Sequence, residues 1–152
     1  MNKIEKISEL RQILSKLFAG QKLAVLSSFG NEQPYASLVA FAFTEDLEHL
    51  LFATTRSTRK FANLSSESKV ALLIDNRSNT DKDFSYAVAA TALGRAEEVS
   101  GTERASYLHL YLTKHPHLRE FVSSPSCALM KVNVQKYYVV NRFQNVEELH
   151  IQ

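Results

Sequence analysis

KLAVLSSFGNEQPYASLVAFAFT, residues 22–44, is the stretch on which the fold turns. Lys22 to Phe29 reads as a short, largely buried strand, and Gly30-Asn31 supplies a turn. Pro34 to Thr44 follows as a second strand, so strand, turn and strand together predict a hairpin. Along the second strand Tyr35, Val39, Phe41 and Phe43 share one face, while Ala36, Leu38, Ala40 and Ala42 share the other. Such small side chains let a flat ring or another subunit approach closely; tight packing of sheet on sheet explains them equally well.

The same alternation continues downstream. Thr44 to Glu48 is a polar turn, His49 to Thr54 a third strand, and Ser57 to Ser65 a helical segment with Phe61 and Leu64 on its apolar side. Val70 to Asp75 is a fourth strand, and Asn76 to Asp83, the most polar stretch, is a loop. Ser85 to Val99 reads as a bent fifth strand interrupted by Gly94, although its alanines also allow a helix. Its Val88, Ala90, Ala92 and Gly94 form another face of mostly small residues. Thr102 to Lys114 is a helix stopped by Pro116, with a short helix on to Val122. Ala128, Met130, Val132 and Val134 point inward and Lys131 and Asn133 outward in a sixth strand that runs on to Val140. Upstream, Ile4, Ile7, Leu10, Leu14, Leu17 and Phe18 space an amphipathic helix over 3–19, and 141–152 is a tail. Most connections are too short for the crossovers of a parallel sheet. The expected class is mainly β (α+β): six antiparallel strands with flanking helices, in one domain over 1–152 with its barrel at about 22–140.

Composition narrows the function. In 152 residues, 18 Lys and Arg stand against 16 Asp and Glu, a net charge of +2. No basic stripe offers itself to a phosphate backbone, so nucleic acid is not an expected partner. No apolar run reaches the ~20 residues of a membrane helix, and Lys3, Glu5, Lys6 and Glu9 break any signal-peptide core. A cytoplasmic protein without a membrane partner is expected. Glycines at 20, 30, 94 and 101 assemble neither a Walker loop nor a dinucleotide fingerprint. Cys127 alone excludes an intrachain disulfide and reads as a small core residue. His109, His115 and His117 gather around Pro116 without metal-ligand spacing, and no metal is expected.

Thr54 to Lys60, TTRSTRK, concentrates the chemistry. It places Arg56, Arg59 and Lys60 among four hydroxyls at the opening of a helix, where cations oppose the macrodipole. A bound anion reverses that sign, because N–H groups, hydroxyls and guanidinium converge on one charge, and phosphate is the natural ligand. A solvated basic turn whose hydroxyls cap the helix is the plainer alternative.

Taken in order, LAVLSSFGNEQPYASLVAFAF, HLLFATTRSTRKFANL, KVALLID, the Gly94-Arg-Ala-Glu strand end and MKVNVQKYYVV resemble the pyridoxamine 5'-phosphate oxidase-like family of FMN-binding split β-barrels. The resemblance implies a six-stranded Greek-key split barrel, a homodimer, and FMN in the clefts between subunits. By position, it puts Ser37, Leu38, Val39 and Ala40 where the second strand's backbone meets the flavin ring. It puts Ala53 and Thr54 beside the flavin tail, and Thr58, Arg59 and Lys60 on the family's S-R-K phosphate grip. The chain departs where true pyridoxamine-phosphate oxidases hold substrate. Ser37 and Ala42 replace an Arg and a Lys, no Trp occurs, and residues 141–152 lack the R-x-H-D-R element. The expectation is therefore an FMN flavoprotein, an oxidoreductase for an unknown small substrate with no assignable catalytic residue. The alternative is a non-catalytic FMN- or haem-binding carrier or sensor.

Overall fold

β1 (Leu23–Gly30) and β2 (Gln33–Phe43) form the hairpin, paired from Leu23 against Ala40 to Gly30 against Gln33 in a computed structural model. The structure describes residues 1–142 and 144–152; Phe143, inside the expected tail, lies outside them. Asn31 and Glu32 supply the two turn residues with φ of 52° and 59°. Both are left-handed, as a two-residue turn needs if its twist is to match the strands.

Five further strands complete the sheet: β3 (His49–Thr55), β4 (Lys69–Asp75), β5 (Ala89–Glu98), β6 (Cys127–Asn141) and β7 (Asn145–His150). Their order is β3-β2-β1-β4-β5-β6-β7, with every pair antiparallel. β3 also pairs with β6, which closes the first six strands into a barrel. The six-stranded antiparallel expectation holds. The tail adds a seventh strand, because the 15 residues of β6 outrun β3 and their second half takes β7 on the edge that β3 leaves.

Helix α1 (Lys3–Gly20) starts in a capping box between Asn2 and Glu5. Leu10, Leu14, Leu17 and Phe18 enter the core, where the Phe18 ring meets Phe41, Phe43 and Tyr137 at 5.6–5.8 Å. Ile4, by contrast, is 79% exposed, so the apolar stripe read from its start serves only the later turns. Helix α2 (Arg59–Ser66) follows β3, and α3 (Asp83–Tyr86) is a single turn. Here the bent fifth strand is corrected. Asp83 accepts from the Ser78 and Asn79 amides, which organises the polar loop and holds Asp83–Tyr86 helical, so pairing begins only at Ala89.

Helices α4 (Arg104–Lys114) and α5 (Arg119–Ser123) lie on the outer face of β2, β3 and β6 over a second core that includes Ala42, Leu51, Tyr111 and Leu129. These helices alter the setting of two sequence assignments. Lys131, read as outward, is buried on that outer face under α4, with Glu97 and Glu103 each at 3.2 Å and the Tyr107 ring at 5.2 Å. Ala40 and Ala42, on the small-residue face read as open to a flat ring, a second subunit or a packed sheet, have α4 above them instead. Ala90 and Ala92 line the barrel interior, with Gly94 also buried where backbone β6 approaches too closely for any side chain.

Candidate functional site

The ladder between β2 and β3 is short: Phe41, Ala42 and Phe43 stand opposite Phe52, Leu51 and Leu50. Beyond them the strands part, β2 staying with β1 and β3 running to Thr55 along β6. This fork leaves one edge of β2 at Ser37–Ala40 outside the β3 ladder. Ser37 shares the inward face with Leu26, and its Oγ is buried with no hydrogen-bond partner.

The other arm of the fork carries the basic segment. Thr58 is the N-cap of α2: its Oγ1 accepts from the Phe61 amide at 3.3 Å and donates to the Thr55 carbonyl at 2.8 Å. Thr54 is buried, its hydroxyl 3.0 Å from that of Thr58. Arg56 is already satisfied. It makes two 2.7 Å bonds to Glu98, which raise its own pKa and hold the Glu98 carboxyl below the usual range. Arg59 and Lys60 occupy the first turn of α2, which has no acidic residue, and neither has an ion pair among the described residues. Two cations without a counter-charge at a hydroxyl-capped helix start fit an anion such as phosphate.

A buried lock seats α2. Asn63 donates to Ser28 Oγ at 3.2 Å, and Gly30 lies so close to the Asn63 side chain that a Cβ has no room. Of the other expected residues, Val39 is in the core and Leu38 faces outward opposite Val25. Ala40 sits under α4, its carbonyl accepting from Tyr111 Oη at 3.0 Å, and Ala53 is buried in the same cluster. The structure thus brings Thr54, Thr58, Arg59 and Lys60 together on one arm and Ser37 to Ala40 on the other.

The remaining candidates have structural partners. His115 is buried and bonds the Phe41 carbonyl at 2.7 Å, burial holding it below the usual histidine range. Among the described residues no group of three or more His, Cys, Asp or Glu is arranged to hold a metal ion. Cys127 is buried, which pushes its thiol up and agrees with a core role. Sequence reading missed His49, whose Nδ1 is buried without a hydrogen-bond partner, and Lys114, whose ammonium reaches the Phe18 carbonyl. Neither belongs to a motif, and only the packing of α4 gives them their surroundings.

A closed antiparallel barrel split between β2 and β3, with an anion-ready helix start beside the split, defines the class of protein. The family model described as pyridoxamine 5'-phosphate oxidase matches residues 10–141, and the chain belongs to that family. A comparison with curated proteins finds no match. Among solved structures, a heme binding protein from Mycobacterium smegmatis is similar with a TM-score of 0.81 at 16% identity, covering 95% of this chain and 57% of that one. The chain therefore spans little more than half the length of that relative. The General Stress Protein 26 from Bacillus anthracis is similar with a TM-score of 0.71 at 18% identity, over 94% of this chain and 99% of that one. A FAD-binding protein from Mesorhizobium loti gives 0.66 at 13% identity, over 84% and 91%. At these identities the likeness is one of fold. No helix among the described residues is long and apolar enough to cross a membrane.

Proposed function

We propose that this chain is an FMN-binding flavoprotein, with the FMN phosphate on Thr58, Arg59 and Lys60 and the ring along Ser37, Leu38, Val39 and Ala40. Ala53 and Thr54 flank the tail of the cofactor. The observation that carries this reading is the contrast within one basic segment: Arg56 is neutralised by Glu98, whereas Arg59 and Lys60 have no counter-charge among the described residues. The unpartnered Ser37 hydroxyl supports it from the other arm. One phosphate nest and no glycine-rich loop favour FMN over FAD. When bound, the flavin supplies the redox chemistry, which makes the protein an oxidoreductase for a small substrate, and the chain supplies binding and orientation.

The site belongs to a homodimer in this proposal. Leu23, Val25, Leu38 and Leu73 lie together on the outer face of β1, β2 and β4, with Leu38 65% and Leu23 53% exposed. An apolar face of this kind is unusual on a monomer, and a second copy covers it with the same surface. Tyr137 on β6 is not available to such a contact: its ring is buried in the chain's own core and its hydroxyl donates to the Leu47 carbonyl at 2.7 Å.

A haem carrier or sensor is the second reading, favoured by the likeness to the mycobacterial heme binding protein. Reconstitution with FMN, FAD and haem, followed by visible spectra and mass analysis of the released ligand, tests both. FMN alone is the expected ligand. Recovery of FAD, of haem, or of no ligand would overturn the first reading.

A further inference from the structure

A groove of about 590 Å³ opens between α1 and α4 at the paired end of β2, away from the fork. Ala19, Phe43 and Leu110 give it an apolar wall, and Lys114 brings the one amine among its lining residues. The Lys114 ammonium lies 3.7 Å from the centre of the Phe41 ring and donates to the Phe18 carbonyl at 2.9 Å. It has no carboxylate partner among the described residues. Glu45, which also lines the groove, is exposed and makes no ion pair with it.

We propose that this groove binds a free medium-chain carboxylate, its chain against Ala19, Phe43 and Leu110 and its carboxylate on the Lys114 ammonium. A half-buried cation without a counter-charge is costly, and an anion with an apolar body supplies both the charge and the contact that the groove lacks. The volume falls within the ordinary range of small-molecule pockets, about 300–1,000 Å³. Burial brings the Lys114 pKa down to about 8, consistent with a site short of negative charge. His115, His117 and Lys22 add no anion, and Glu45 is the one acidic side chain lining the groove.

Octanoate and octanol are the paired probes, followed by calorimetry and by NMR of isotope-labelled lysine side chains in the full chain. Octanoate should bind at least about tenfold more tightly than octanol, the difference a charge-assisted hydrogen bond makes. It should also raise the Lys114 pKa, because a bound anion favours the ammonium. Lys114→Met should reduce octanoate to the affinity of octanol. If that variant does not fold, Ala19→Trp, at an exposed position of α1, fills the groove and should abolish binding. Equal affinity for the two probes, no binding of octanoate at millimolar concentration, or unchanged binding in Ala19→Trp would each overturn the proposal.

Discussion

Arg56 and Arg59 stand in one basic segment, on either side of the Thr58 cap, yet their surroundings assign them different work. Arg56 ties that segment to Glu98 and to the Pro125 carbonyl, whereas Arg59 and Lys60 have nothing among the described residues to neutralise them. Replacing Arg59 or Lys60 with Ala should weaken FMN binding about tenfold or more, with the fold retained, as fluorescence titration would measure. Ser37 offers a sharper separation of binding from stability. Its buried hydroxyl has no partner, so Ser37→Ala should leave the melting temperature of the ligand-free protein unchanged or raise stability by up to about 1 kcal/mol. The same change should lower FMN affinity. A loss of stability with unaltered affinity would count against a ligand at the fork.

At the scale of elements, the seating of α2 controls where the cations stand. Gly30→Ala forces a methyl group into Asn63 and breaks its bond to Ser28, a cost of about 1–3 kcal/mol in urea unfolding. Because α2 then shifts, FMN affinity should fall although Gly30 is not among the residues proposed to hold it. α4 is tied down electrostatically through Lys131. Hydrogen bonds from Asn133 and then Lys131 hold Glu97 below the usual glutamate range. A lowered carboxyl contributes stability that is complete above its unfolded value, 4.5, and is lost as pH falls through the lower folded value. Lys131→Met should therefore flatten the pH dependence of stability below about pH 4.5, as unfolding curves across that range would show.

For the whole molecule, the uncovered face of β1, β2 and β4 sets the expected assembly. Sedimentation at micromolar concentration should find a dimer, and Leu38→Lys should shift it to monomer by placing a charge on the most exposed apolar residue of the face. Bound FMN should stabilise the dimer against dilution if both copies contribute to its site. A wild-type monomer that binds FMN tightly would show that one chain builds the whole site.

The sequence by itself determined the six barrel strands, the β1–β2 hairpin and the basic segment after β3, because alternation, turn residues and clustered charge are local properties. It could not tell which small-residue face lies inside. Ala90 and Ala92 were placed by closure of β3 on β6, and Ala40 and Ala42 by the docking of α4. It placed Lys131 outward because charge alternates with apolar residues there, but could not show that Glu97 and Glu103 reach it from other elements as α4 covers it. Arg56 is neutralised by Glu98, and Lys114 reaches the Phe18 carbonyl, through partners far along the chain. Tertiary structure decided these points because the energy of a charge or a small side chain depends on what packs against it, and the closed barrel sets that packing.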